Sequence, residues 1–310
     1  MGLHTLRKIV LGAPNVEEAA GFYTEFGLTP LGEGRFASTD GGEQLQLVTR
    51  PTRRLVGVTI GVDDRDDLLR AHADLARQGF DSTVEGDWLT AVEPVTGVTA
   101  RLEVATPITV AAPGQPAAEY NAPGRIVRTN ARALPLERKD DVRPRKLGHV
   151  VLGSTDLETS MRFFRDGIGF KVSDMIQGRG SFMRCSTDHH NLLVQNTPVN
   201  FVHHSSWQVD DVDEVGRGAS KLLEADPSRH VWGLGRHHIG SNFFWYLRDP
   251  SGTFAEYYSD LDTILEDELW SPEVFEGKLA RYNWGPPPTP SFIKPDDLAE
   301  IMAGAHTPSG

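Results

Sequence analysis

Histidine is concentrated in one stretch of this sequence of 310 residues. Eight of the 11 histidines lie between positions 149 and 238, whereas the chain before position 149 holds only His4 and His72. The eight are His149, His189, His190, His203, His204, His230, His237 and His238. An imidazole can bind a divalent metal or carry a proton near neutral pH. The distribution therefore predicts metal or acid–base chemistry in the second half of the chain.

The sequence repeats itself, and the repeat provides an internal comparison for these histidines. Four pairs of segments align: residues 6–12 with 147–153, 15–23 with 156–164, 57–67 with 204–214, and 93–101 with 248–256. Three aligned pairs differ in a chemically informative way, namely Lys8 and His149, Gly57 and His204, and Arg101 and Glu256. Only the second copy therefore combines two imidazoles with a carboxylate.

These three side chains match a known type of ligand set. Two histidines and one carboxylate on one side of a divalent metal, with the other positions open, are typical of non-haem Fe(II) oxygenases. Glu256 lies in the apolar stretch 254–258, where an ionised carboxylate is costly to bury unless a cation compensates it. The sequence therefore predicts a metal site made by His149, His204 and Glu256, and none in the first copy.

Each copy of the repeat has the pattern of a strand, an amphipathic helix and several further strands that end in a Pro-x-Gly hairpin. In the second copy the helix is predicted to begin after an N-cap at Thr155. The segments predict two modules, at residues 1–104 and 146–262, joined by a proline-rich linker at 105–145. A tail at 263–310 is predicted to pack on the modules or on a neighbouring subunit.

Composition excludes several classes of protein. The chain has 31 Lys and Arg against 43 Asp and Glu, a formal net charge of −12, so neither nucleic acid nor a membrane surface is an expected partner. No apolar stretch approaches the roughly 18 residues of a membrane helix. The single cysteine, Cys185, rules out an intramolecular disulfide and a cysteine-rich zinc site. A cytoplasmic location is predicted.

Five motifs occur in an order that resembles one family of enzymes. They are LGHVVL at 147–152, DHHNLL at 188–193, VHHSSW at 202–207, GRHH at 235–238 and YLRDPSGTFAEY at 246–257. On these motifs the chain resembles the type I extradiol ring-cleavage dioxygenases of the vicinal oxygen chelate superfamily, and is similar to biphenyl-2,3-diol and catechol 2,3-dioxygenases. The resemblance implies an α+β fold of two similar domains with tandem βαβββ modules, of which only the C-terminal domain binds a metal.

The resemblance also implies roles for individual residues. Fe(II), with Mn(II) as the alternative, would be held by the three ligand residues above. His190 would handle O2 and act as a base and then an acid, because an imidazole can do both near pH 7. His237 would hydrogen-bond the substrate hydroxyl, and Tyr246 would orient the substrate or supply a proton. The substrates would be a small aromatic diol and O2, and the protein would be a homo-oligomer.

Some of these residues also have a purely structural interpretation. By strand alternation, His189 and His203 are expected to point away from the site and to be structural, while His238 stays open between the two interpretations. Tyr246 lies in an aromatic run, where a core position is the alternative. An apolar site for a bulky diol is predicted from Phe182, Trp207, Phe244 and Trp245.

Two other functions remain open from the residues alone. A glyoxalase-type isomerase or an epoxide-opening transferase on the same scaffold would need a fourth protein ligand, and Lys8, Gly57 and Arg101 offer none. A metal-free protein that sequesters a ligand would leave the two histidines and the carboxylate unexplained. Metal analysis and O2 uptake with a catechol distinguish these functions.

Overall fold

The computed structural model describes residues 2–113 and 119–305. Met1, residues 114–118 and residues 306–310, which belong to the predicted N-terminal module, linker and tail, lie outside the described residues. The described strands form two mixed sheets that follow one another along the chain.

The N-terminal sheet has eight strands within the described residues, and helices follow its first and fifth strands. The strands are β1 (Leu3–Ala13), β2 (Thr29–Gly32), β3 (Arg35–Ser38), β4 (Gly42–Thr49), β5 (Arg54–Val62), β6 (Ser82–Glu85), β7 (Trp88–Val92) and β8 (Thr99–Val104). The helices are α1 (Val16–Glu25) and α2 (Arg65–Arg77). The strand order is β2-β3-β4-β1-β5-β8-β7-β6, so two βαβββ units meet where β1 pairs with β5.

The C-terminal sheet repeats this arrangement and adds one short strand. Its strands are β9 (Lys146–Ser154), β10 (Lys171–Ile176), β11 (Gly180–Arg184), β12 (Leu192–Asn196), β13 (Phe201–Gln208), β14 (His230–Arg236), β15 (Phe243–Arg248), β16 (Phe254–Ser259) and β17 (Val274–Phe275). Its helices are α3 (Leu157–Met161), which continues as a π-helix over Arg162–Ile168, and α4 (Val212–Ala225). The order β14-β15-β16-β13-β9-β12-β11-β10 mirrors the first sheet, and β17 pairs with β10. The predicted α+β fold of tandem βαβββ modules is confirmed.

Short helices complete the described chain. Three 3-10 helices span Leu134–Glu137, Pro227–Arg229 and Asp267–Leu269. Two α-helices follow the second sheet, α5 (Pro290–Ile293) and α6 (Leu298–Ala305). Across the ranges that the structure describes, no helix is both long enough and apolar enough to cross a bilayer.

Strand register confirms the alignment of the two copies. In the first sheet Lys8 pairs with Thr59, which pairs in turn with Arg101 on β8. In the second sheet His149 pairs with Ser206, which pairs with Glu256 on β16. The residues compared from sequence therefore occupy equivalent places on equivalent strands.

One predicted helix start is wrong by one residue. The N-cap of α3 is Asp156 and not Thr155, because the Asp156 carboxylate accepts a hydrogen bond from the backbone N–H of Thr159. The backbone N–H of Thr155 is instead held outside the helix by Asn200 Oδ1, at 2.9 Å. Asn15, which aligns with Asp156, caps α1 in the same way.

The two modules share one hydrophobic core. Phe80 beside α2 packs edge-to-face on Phe163 of the second module, with ring centroids 5.3 Å apart. The core also contains Cys185, and burial raises the pKa of its thiol, as expected for an unreactive structural cysteine. Buried Arg53 donates to both carboxylate oxygens of Asp297 and so ties the tail to the first module.

Candidate metal centre

Three donor atoms from adjacent strands converge below one cavity. His149 lies on β9, His204 on β13 and Glu256 on β16, and these strands are neighbours in the sheet. Glu256 Oε2 is 3.1 Å from His149 Nε2 and 3.6 Å from His204 Nε2, and the two Nε2 atoms are 3.4 Å apart. Ligands that share one ion at bond lengths of about 2.1 Å lie about 3 to 3.5 Å from each other. The spacing therefore fits one bound cation.

The surroundings of Glu256 also fit a cation. The side chain is completely buried, and Oε1 accepts a hydrogen bond from Asn242 Nδ2 at 3.3 Å. Oε2 is buried and accepts no hydrogen bond of good geometry within the described residues. Burial has the largest single effect and raises the pKa of Glu256, but His149, His237 and Ser206 together outweigh it and lower the pKa. An ionised, buried and unsatisfied oxygen is a ligand for a divalent ion.

A neighbouring histidine determines which nitrogen of His204 faces the site. His203 Nε2 lies 2.8 Å from the backbone carbonyl of Phe292 on α5, so this nitrogen carries the proton and donates. Burial lowers the pKa of His203 to about 4, so its ring is neutral and its Nδ1 is an acceptor. His204 Nδ1, at 2.7 Å, must then donate to His203, which leaves a free lone pair on His204 Nε2.

The expected orientation of His203 is wrong. The pairing of β13 with β9 shifts by one residue between Val202 and His204, as in a β-bulge. The extra residue interrupts strand alternation, so His203 and His204 both border the cavity. His203 contacts the ligand residue directly instead of lying on the opposite face.

His190 is brought beside the three donors. Its ring centroid is 4.2 Å from that of His149, and it lines the cavity. Burial, followed by the neighbouring His149, lowers the pKa of His190 well below its usual value. The ring is therefore neutral near pH 7 and can accept a proton.

His189 does not line the cavity, but it contacts His190 directly instead of lying on an opposite strand face. Both residues lie in the loop between β11 and β12, where strand alternation does not apply. His189 Nδ1 is 3.0 Å from His190 Nδ1, and His189 Nε2 is 2.9 Å from Asp174 Oδ2. The two tandem histidine pairs of the sequence thus make the same kind of contact.

His237 and Tyr246 form a hydrogen-bonded pair on the other side of the site. His237 Nδ1 donates to the backbone carbonyl of Arg281, and His237 Nε2 is 2.9 Å from the Tyr246 hydroxyl. Burial, followed by the charge of Glu256, raises the pKa of Tyr246 well above its usual value. Tyr246 is therefore a phenol that donates to His237. It is at the same time a packed aromatic residue, stacked 5.7 Å from Trp232.

The cavity above the donors has a volume of about 740 Å³. Of the four aromatic residues predicted to make it apolar, only Phe182 lines it; Trp207 is buried in the shared core. The lining also includes two exposed cations that were not predicted to belong to the site, Arg179 and Arg281. The wall is therefore mixed in polarity, not apolar.

Several contributors to the site are not marked by the residue pattern of the sequence. Phe292 and Arg281 act through backbone carbonyls, which every residue possesses. Asp174 is an acid in a strand that also contains Lys171 and Ser173, and only the structure shows that it is buried. His238 lies outside the site, half-buried against Phe275 at 5.2 Å between ring centroids.

The equivalent positions of the first module form no ligand set. Lys8 pairs with Glu43 at 3.2 Å, and the Arg101 guanidinium lies over the Trp88 ring at 4.6 Å from its centroid. Within residues 2–113 and 119–305, the only group of three metal-type donors that converges is His149, His204 and Glu256.

Sequence comparison places the second module in a known superfamily. Residues 146–257 match the family model described as Glyoxalase/Bleomycin resistance protein/Dioxygenase superfamily. They form a domain of this superfamily. All three converging donors lie inside the superfamily domain, whereas the carbonyl groups of Arg281 and Phe292 lie beyond it.

Curated relatives match about half of the chain. Metapyrocatechase 2 of Cupriavidus necator is 37% identical over 155 residues, which are 49% of this chain and 48% of the relative. An iron-dependent extradiol dioxygenase of Rhodococcus jostii is 32% identical over 40% of this chain and 46% of its own length. A manganese-dependent 2,3-dihydroxybiphenyl 1,2-dioxygenase of Geobacillus genomosp. 3 is 30% identical over 42% and 44%. The chain spans about half the length of each of these relatives.

Solved structures share the fold of nearly the whole chain. The halotolerant catechol dioxygenase BphC superposes with a TM-score of 0.74 at 19% identity, covering 95% of this chain and 97% of that one. The Mn(II)-bound glyoxalase of Novosphingobium aromaticivorans has a TM-score of 0.73 at 24% identity, covering 94% of both chains. The superfamily domain and the module before it therefore adopt together a fold found in proteins with different reactions.

Proposed function

We propose that the protein is an extradiol dioxygenase that cleaves the ring of a catechol-type substrate with O2 and depends on a divalent metal. The observation that carries the proposal is the cluster of His149, His204 and Glu256, whose three donor atoms face one another at the base of a cavity. Two histidines and one carboxylate leave coordination positions for both oxygens of a diol and for O2. The names of the sequence relatives support the same reaction.

The proposed metal is Fe(II), with Mn(II) as the alternative. The superfamily relatives include one named as iron-dependent and one named as manganese-dependent. A divalent ion held by the three residues would supply Lewis acidity to a catechol hydroxyl and proximity between the diol and O2. The neutral imidazole of His204 and the ionised Glu256 suit either ion.

Three further side chains would handle protons and orient the diol. His190 faces the cavity as a neutral imidazole, so it can take a proton from the substrate and return it to a product. Tyr246 stays protonated and can donate a hydrogen bond. His237 accepts from Tyr246 and can exchange that partner for a substrate hydroxyl.

The two alternative functions have less support. An isomerase or transferase with a fourth protein ligand would need another donor near the cluster, and the described residues supply a group of three. His237 Nε2, at 3.8 Å from Glu256 Oε1, is instead engaged by Tyr246. A metal-free binding protein would keep Glu256 Oε2 buried beside His149 Nε2 without a hydrogen bond of good geometry, which costs free energy.

Substrate screening under anaerobic reconstitution tests the proposal. Apoprotein is loaded with Fe(II) or with Mn(II) and then mixed with O2 and a panel of catechols that are unsubstituted, 3-alkyl, 3-aryl or carboxylated. We expect O2 uptake and a yellow ring-opened product with at least one of them, and neither with the Glu256→Ala protein. Metal-loaded protein that consumes no O2 with any diol of the panel would overturn the proposal.

Further properties of the chain remain predictions from its sequence. These are the module boundaries at 104, 146 and 262, the homo-oligomeric state and the cytoplasmic location. The tail predicted from residue 263 contributes β17 to the second sheet and two carbonyl groups to the site. We therefore expect its removal to impair the site as well as the packing.

A further inference from the structure

His190 is the last member of a chain of hydrogen bonds that starts at a buried carboxylate. Asp174 Oδ2 is 2.9 Å from His189 Nε2, and His189 Nδ1 is 3.0 Å from His190 Nδ1. The other carboxylate oxygen, Asp174 Oδ1, accepts from the backbone N–H of Glu273 at 2.8 Å. Only one proton can lie between the two Nδ1 atoms, so one of these histidines donates and the other accepts.

The direction follows from the carboxylate. A carboxylate only accepts hydrogen bonds, so His189 Nε2 carries the proton that it donates to Asp174. A His189 that carries only this proton accepts at Nδ1, and His190 Nδ1 is then the donor. His190 Nε2, which makes no hydrogen bond within the described residues, is left with a free lone pair on a ring that lines the cavity.

We propose that Asp174 and His189 are positioning residues that hold His190 in the tautomer able to accept a proton from the substrate. The proposal rests on the proposed function, because it concerns a residue assigned there to proton transfer. Neither Asp174 nor His189 touches the cluster of His149, His204 and Glu256; both act through His190.

The surroundings of His189 hold this geometry. The side chain is fully buried, and the ring of Trp270 packs on it edge-to-face at 5.2 Å between centroids. Trp270 is itself held by a hydrogen bond from its Nε1 to the carbonyl of Ser173 at 2.8 Å. Gly240, with φ of 80°, leaves the space that both histidines occupy: a Cβ there would lie 3.3 Å from His190 Cε1. Trp270 and Glu273 belong to the tail, so the hydrogen bonds from Asp174 to His190 depend on tertiary contacts.

Replacing Asp174 by Asn should reverse the direction of these hydrogen bonds. The amide of Asn has one oxygen and one NH2 group, and the backbone N–H of Glu273 requires the oxygen at the Oδ1 position. The NH2 group must then face His189 Nε2 and donate to it. His189 would carry its proton on Nδ1 and donate to His190 Nδ1, and His190 would carry its own proton on Nε2.

The test reads the tautomers directly by 15N NMR of ring-labelled histidine in the metal-free protein, with His190→Asn used to assign the His190 signal. In wild-type protein we expect the proton of His190 on Nδ1, and in Asp174→Asn on Nε2. Asp188→Asn is the matched control, because Asp188 lies in the same loop but pairs with Lys146 at 2.5 Å; it should leave the tautomer unchanged. A wild-type His190 protonated at Nε2, or an Asp174→Asn protein without inversion, would overturn the proposal.

Steady-state kinetics of the Fe(II)-loaded protein provide a second test of the positioning role. The wrong tautomer of a catalytic histidine costs up to about 10⁴ in rate, so we expect kcat of Asp174→Asn to fall about 10²- to 10⁴-fold. Iron content and anaerobic catechol affinity should stay at the wild-type level. An inverted tautomer with unchanged kcat overturns the positioning role.

Two further outcomes are also decisive. Absence of turnover in wild-type protein overturns the proposed function alone, because the spectra of metal-free protein do not depend on it. If Asp174→Asn does not fold, the tautomer of wild-type His190 still decides the proposal.

Discussion

Tyr257 on β16 stacks on Phe26 at the end of α1, with ring centroids 3.9 Å apart and ring planes 1° from parallel. The Tyr257 hydroxyl also donates to the backbone carbonyl of Phe26, at 2.6 Å. Because consecutive residues of a strand point to opposite faces, Glu256 points toward His149 and His204 while Tyr257 faces the first module. The module without a ligand set thus supports the strand that carries the buried carboxylate.

This contact predicts a large effect of Tyr257 on stability. Tyr257→Ala should lower the free energy of unfolding by about 3 to 5 kcal/mol, as for other buried aromatic residues truncated to Ala. Tyr257→Phe keeps the stack but leaves the Phe26 carbonyl unpaired, and should cost about 1 to 3 kcal/mol. Urea denaturation of the three proteins measures both. An Ala variant as stable as the Phe variant would show that the stack contributes nothing.

Loss of any converging donor should remove the metal. His149→Ala, His204→Ala and Glu256→Ala each delete one of three donors, so we expect bound Fe(II) to fall to a small fraction of the wild-type content after dialysis. His230→Ala is the control, since His230 is exposed and belongs to the same sheet. Elemental analysis of the dialysed proteins gives the occupancy. Full iron occupancy in Glu256→Ala would contradict the assignment.

The chain should bind a single metal ion. Lys8 and Arg101 occupy the places of His149 and Glu256 in the first module, and a cation beside two basic side chains is unfavourable. We expect a stoichiometry of one ion per chain, measured by titration of apoprotein and by elemental analysis. Two ions per chain, with anomalous scattering near Lys8, would refute this.

The effect of His190 on turnover should be separable from metal binding. His190→Ala should retain iron and catechol affinity while turnover falls about 10²- to 10⁴-fold, the usual contribution of general acid–base catalysis. His190→Asn should recover part of the loss, because its side-chain amide can still donate a hydrogen bond into the cavity. Iron content, anaerobic catechol affinity and turnover are measured on the same preparations. Loss of iron together with activity would make His190 a ligand or a structural residue.

A buried carboxyl at the module junction predicts a pH dependence of stability. Burial raises the pKa of Asp249 to about 7, although the backbone N–H groups of Ser251 and Thr253 donate to it. A folded-state pKa above the unfolded value means that the folded protein binds the extra proton. The contribution of Asp249 is therefore fully present below about pH 4 and is lost as pH rises to about 7, by up to about 1.4 kcal/mol per pH unit.

The Asp249→Asn variant tests the direction of this pH dependence of stability. The amide oxygen can still accept from the two backbone donors, but the side chain no longer titrates. Between pH 5 and pH 7.5 the variant should gain stability relative to wild type in urea denaturation of the metal-free proteins. Free energies of unfolding that run parallel over this interval would show that Asp249 is ionised in the folded protein throughout.

The sequence alone was sufficient to select the residues that the structure brings together. Strand patterns repeat with a period of two residues, so the alignment of the two copies carried over to the sheet, where His149 and Glu256 occupy the register positions of Lys8 and Arg101. The difference between two copies in one chain served as an internal control. Asp64 and Asp211, which align in the two copies, likewise cap α2 and α4.

Only the tertiary structure decided how the site histidines are oriented. The proton on His204 depends on the carbonyl of Phe292, and that of His190 on Asp174, 16 positions earlier in the chain. A backbone carbonyl is present at every residue, so its role depends on where the tail runs and leaves no mark in the sequence. Strand alternation likewise failed at His203, because the irregular pairing of β13 with β9 is set by packing between strands and not by a local residue pattern.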